Sequence, residues 1–84
     1  EILMRFRRNT DSATLSSAAA SVQTYGINKG EGETVRSPQG TTVTMNGPVG
    51  TARTATVTDD RSGRVIGTVH VDLNCNVERT TSGN

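Results

Sequence analysis

His70 is the only histidine of the chain, and Asp72 and Cys75, the only cysteine, follow it closely. Imidazole, carboxylate and thiol are the parts from which a nucleophilic site is built, provided that they converge on one point. Their spacing argues against convergence. On a strand, His70 and Asp72 share one face, with Thr54 or Thr56 across from them. Any polar sheet face offers that arrangement. His70, Asp72 and Cys75 do not stand at a recognised zinc-ligand spacing either. Asp59-Asp60 has no further acidic residue near it, so it reads as a turn and not as a calcium loop. A single cysteine excludes an internal disulfide, and Cys75 reads as a small buried thiol. No catalytic, cofactor-binding or metal-binding residue is therefore expected, and the chain is not expected to be an enzyme.

Two other clusters have a possible chemistry. Gly30-Glu31-Gly32-Glu33 lacks the glycine spacing of a phosphate loop, no strand precedes it, and its two carboxylates would repel phosphate. Arg5, Arg7 and Arg8 crowd the start of a chain whose net charge is only +1. They read as a solvated face, with contact to an anionic partner as the alternative. A row of threonines, Thr54, Thr56 and Thr58, could suggest an ice-binding ladder. On the sequence that row is one strand with no repeat to extend it, so an exposed antiparallel face explains it better.

The elements that carry these residues are set by periodicity. Leu15, Ala18, Val22 and Tyr25 form an apolar stripe at helical spacing. The stripe predicts a helix over 11–29, capped by Thr10, Asp11 or Ser12 and closed by Lys29 and a left-handed Gly30. Tyr25 belongs to its buried face, while Ser16 and Gln23 stay exposed. Residues 1–10 are either an extension of this helix or a frayed end, and Ile2, Leu3 and Phe6 there are apolar residues without an evident partner. With 31% hydrophobic residues and only Phe6 and Tyr25 as aromatics, the core must come from Val, Ile, Leu and Ala. Fourteen Thr and nine Val favour strands.

A sheet is expected over 34–79. Thr34-Val35-Arg36 begins an edge strand limited by Pro38. Gln39-Gly40 turns, and Thr41 to Met45 forms a strand that ends at Asn46-Gly47-Pro48. Ala55 and Val57 then alternate with threonines, and Val65, Val69, Val71 and Leu73 alternate with Thr68, His70 and Asp72. A three-residue loop, Arg61-Ser62-Gly63, would pair Asp60 with Arg64, Val57 with Gly67 and Ala55 with Val69. Asn74-Cys75-Asn76 reads as a turn, Val77-Glu78-Arg79 as a short last strand, and 80–84 as a polar tail. The fold class is α+β: one domain, with an N-terminal helix packed on an antiparallel sheet of about four strands that ends in a hairpin.

Leu15 to Val35, LSSAAASVQTYGINKGEGETV, resembles the end of the extended helix in minor pilins and pseudopilins of type IV pili and type II secretion systems. Ile27, Lys29, Gly30 and Val35 fit the group's pattern of an Ala-rich helix, an Ile, a basic residue, a Gly and a following strand. TARTATVTDDRSGRVIGTVHVDLNCNVER looks like the group's C-terminal hairpin. The hydrophobic N-terminal span of a pilin is missing, and there is neither a starting Met nor a signal peptide, so the chain reads as a trimmed piece. Of the Arg-rich motif in DNA-binding members, only Arg79 can be carried over.

The resemblance implies a structural subunit, the soluble domain of a pilin-like filament protein, located at the cell envelope or outside the cell. Its partners would be copies of itself or related subunits, met through Ile2, Leu3 and Phe6. A membrane would be reached only through a segment absent from this sequence. The alternative is a small binding module that holds an anionic partner such as DNA through Arg5, Arg7, Arg8 and Arg79.

Overall fold

No Pro or Gly interrupts the chain from Ile2 to Tyr25, and Leu15 and Ala18-Ala19-Ala20 are strong helix formers. In the computed structural model, which describes the backbone of residues 2–83 and the side chains of residues 13–83, α1 runs over Ile2–Tyr25 and passes into a 3-10 turn at Gly26–Asn28. Of the two readings of residues 1–10, extension or frayed end, the backbone over 2–10 follows the first, and the expected cap at residues 10–12 is corrected. Thr10, Asp11 and Ser12 lie inside α1, because nothing before them stops the helix.

Leu15, Ala18 and Val22 are buried as expected, with Thr14 and Ser21 beside them, and Ser16 and Gln23 are exposed. Tyr25 departs from the expectation, being 63% exposed. It stands in an open groove beside Arg36 and Pro38, where the short first strand leaves nothing to cover the ring. The buried stripe continues onto Gly26 instead. A Cβ there would lie 3.3 Å from Cys75 Sγ and 3.5 Å from Met45 Sδ, so a side chain would crowd the helix end against the sheet.

The helix does not end on a left-handed Gly30. The Lys29 N–H returns to Gly26 O at 2.9 Å, and Lys29 itself is extended, with φ −89° and ψ 130°. Gly30 N–H is bonded to Glu33 Oε1.

Five antiparallel strands follow: β1 (Thr34–Ser37), β2 (Thr41–Asn46), β3 (Arg53–Asp59), β4 (Val65–Val71) and β5 (Val77–Ser82). They lie side by side in chain order. Alternation places Val35, Val43, Met45, Ala55, Val57, Val69 and Val71 against α1, as one core with Leu15, Ala18, Val22 and Cys75. The β1–β2 loop is Pro38-Gln39-Gly40, with Gln39 at φ 67°. Gln39 also ties this loop to the helix, accepting from Thr14 Oγ1 at 3.0 Å and donating to Ser17 Oγ at 3.3 Å.

The β3–β4 hairpin keeps the expected pairs Val57–Gly67 and Ala55–Val69 but not Asp60–Arg64. Asp59 N–H bonds Arg64 O at 2.8 Å, and Gly63 N–H bonds Asp59 O at 2.8 Å. The loop is thus one residue longer than predicted. A bulge restores the register, because Thr58 pairs with Val65 while Val57 pairs with Gly67. Ile66 is the extra residue, and it packs on the core edge. Val65 is turned out and is 52% exposed, which corrects its expected inward position.

Leu73 is also exposed, because alternation ends with β4 at Val71. Cys75 fills the buried place instead, at φ 66°. The expected polar tail is partly strand. Thr80, Thr81 and Ser82 pair with Val69, Thr68 and Gly67, since β4 needs a partner along its length and β-branched threonines suit a solvent-facing edge.

Candidate functional site

The outer face of the sheet holds His70 and the threonines Thr54, Thr56 and Thr58 that sequence reasoning weighed. Register aligns them into rows. Thr34 pairs with Thr44, Thr44 with Thr56, Thr56 with Thr68, and Thr68 with Thr81. One line of threonines therefore crosses all five strands, at the usual spacing of about 4.7–4.9 Å per strand. This corrects the reading of a threonine row confined to β3. Only the full register could reveal it, because its members come from five separate stretches of chain. A neighbouring row runs Asn46, Thr54, His70 and Arg79.

Several hydroxyls are engaged within the face. Asn46 Nδ2 donates to Thr56 Oγ1 at 2.9 Å, Thr42 Oγ1 donates to Asp60 Oδ1 at 2.6 Å, and His70 Nε2 lies 3.1 Å from Thr81 Oγ1. Adjacent strands in a sheet ordinarily rotate by roughly 20–25° from one to the next, which works against a flat lattice of hydroxyls. The arrangement stabilises a solvated face through cross-strand pairs.

His70, Asp72 and Cys75 are not brought together. His70 is on the outer face beside Thr81. Asp72 turns to its own loop, where Oδ1 accepts from Asn74 N–H and Asn76 N–H, both at 2.9 Å. These bonds, the Asn76 amide first, hold its carboxyl below the usual aspartate range against a smaller opposing effect of desolvation. Cys75 is on the opposite side, 2% exposed, with Sγ donating to Val22 O at 3.4 Å. Among the described residues no group of three His, Cys, Asp or Glu side chains could hold a metal ion.

Of the expected partner contacts, Arg79 is exposed on β5 opposite His70. The side chains of Ile2, Leu3, Arg5, Phe6, Arg7 and Arg8 lie outside the described ones. Arg36 and Arg53 were not singled out by sequence. Arg36 lines the groove beside α1, and Arg53 is buried. Arg53 shares the parity of Ala55 and Val57, which is the signal that places it on the core side. No helix among the described residues is long and apolar enough to cross a membrane. No family model matches the chain, and no curated protein or solved structure matches it either.

Proposed function

We propose that the chain is the globular domain of a structural, pilin-like filament subunit of the type IV pilus or type II secretion class, placed at the cell envelope or outside the cell. The observation that supports this most is the architecture. One 24-residue N-terminal helix docks on an antiparallel meander through Thr14 to Val22 and begins well ahead of that docked segment. A helix of this length extends about 36 Å. In a filament, its leading part packs among neighbouring helices while the threonine face meets water or the next subunit. Copies of the chain or related subunits are then the partners.

The coding sequence upstream of Glu1 provides the test. An apolar run of about 20 residues there is the expected result, and a polar folded domain in its place overturns the reading. A photo-crosslinker at Phe6 should capture another copy in the assembled state. Labelled DNA should bind weakly at every salt concentration. Tight binding that falls steeply with salt would instead support an anion-binding module acting through Arg79 and the N-terminal arginines.

A further inference from the structure

Arg53 opens β3 on the core side of the sheet and is only 7% exposed. A buried cation is unfavourable unless its donors are used. Here they go to backbone carbonyls. Nη1 donates to Lys29 O at 2.6 Å and to Gly47 O at 3.3 Å, and Nη2 donates to Gly26 O at 3.0 Å. Gly26 and Lys29 belong to the end of the helical segment, where the carbonyls carry partial negative charge, and Gly26 O accepts from both Arg53 and the Lys29 N–H. Gly47 belongs to the β2–β3 loop, and a Cβ added there would stand 3.2 Å from Arg53 Cβ.

The chain between the helix and β1 has few other ties. Gly32 N–H bonds Met45 O at 2.8 Å, Met45 N–H bonds Glu33 O at 2.9 Å, and Glu33 N–H bonds Gly30 O at 3.1 Å. The first two bonds fasten the segment to the end of β2, the third closes a turn within it, and Arg53 ties the helix end to Gly47 just beyond β2.

We propose that Arg53 is a clamp that makes three segments one cooperative unit: the helix end at 26–29, the connection at 30–33, and the β2–β3 loop at Gly47. This unit opens and closes together while the β3–β4 hairpin stays paired. The planar fork of the guanidinium is what allows one side chain to reach three carbonyls. The compact ammonium of a lysine would reach fewer. A contact made by the β2–β3 loop is therefore felt at the end of α1. The clamp does not depend on the filament reading.

Amide hydrogen exchange tests it. In Arg53→Met, the amides of Lys29, Gly32, Glu33 and Met45 should exchange about tenfold faster or more, as a group. The amides that pair β3 with β4 should keep their protection. Val69→Ala serves as the comparison, because a core deletion raises exchange throughout through global unfolding. A rise in Arg53→Met that extends equally over β3 and β4, or no rise in the four amides, overturns the clamp. If Arg53→Met does not fold, Arg53→Lys gives the same readout, with a local rise supporting the clamp and a uniform or absent one overturning it.

Discussion

Gly67 of β4 lies directly beneath Leu15 of α1. A Cβ built on Gly67 would collide with Leu15 Cδ2 and would stand 2.7 Å from the Thr81 carbonyl oxygen. The helix approaches the sheet here closely enough that only a hydrogen fits. Gly67→Ala should therefore destabilise the fold by roughly 1–3 kcal/mol through overpacking, measured by urea denaturation. An unchanged midpoint would show that Leu15 can move aside freely.

Val69 and His70 are adjacent residues with opposite fates. Val69 is fully buried, so Val69→Ala should cost roughly 1–3 kcal/mol in lost burial and residual cavity. His70 shares a hydrogen bond with Thr81 on the solvated face, so His70→Ala should stay within about 0.5 kcal/mol of the parent. If His70→Ala removed a measurable activity while leaving the fold intact, the non-enzymatic reading would be wrong.

Asp72 gives the stability a defined pH dependence. Its carboxyl titrates below the usual aspartate value because it accepts from its own loop. A depressed folded value stabilises above the unfolded value of about 3.9 and is lost as pH falls through that range toward the folded value. Asp72→Asn keeps an acceptor but does not titrate. Between pH 6 and pH 3 its urea midpoint should fall less than that of the parent, and equal slopes would remove Asp72 from the account.

Cys75 should be slow to react. Its thiol is enclosed by α1 and bonded to Val22 O, so a disulfide reagent reaches it only when the fold opens. The native protein should label far more slowly than the urea-unfolded chain. Labelling at the unfolded rate would contradict the packing of the β4–β5 turn against α1.

The parts legible in the sequence were those set by covalent geometry. Ala55, Val57, Val69 and Val71 fall on one side because side chains alternate on any strand, and Leu15, Ala18 and Val22 share a face because helices turn every 3.6 residues. The misplaced residues depended on neighbours distant in the chain. Val65 turned outward because a bulge at Ile66 absorbed a longer loop, and Tyr25 was left exposed by a four-residue edge strand. The role of Arg53 was half visible. Alternation puts it inside, but the carbonyls that accept its hydrogen bonds come from two other segments. The threonine row required every strand register at once.

The sheet's chain-order topology bears on how the molecule is made. Each strand needs only its immediate predecessor, so hairpins form one after another as the chain is synthesised, with short loops to close. The helix is the exception. It emerges first, yet Leu15 and Val22 find their counterparts at Gly67 and Cys75 only after nearly the whole sheet has been produced. Until then β1 and β2 cover the apolar stripe of α1 only in part, and the rest of the stripe is open to association with neighbouring chains.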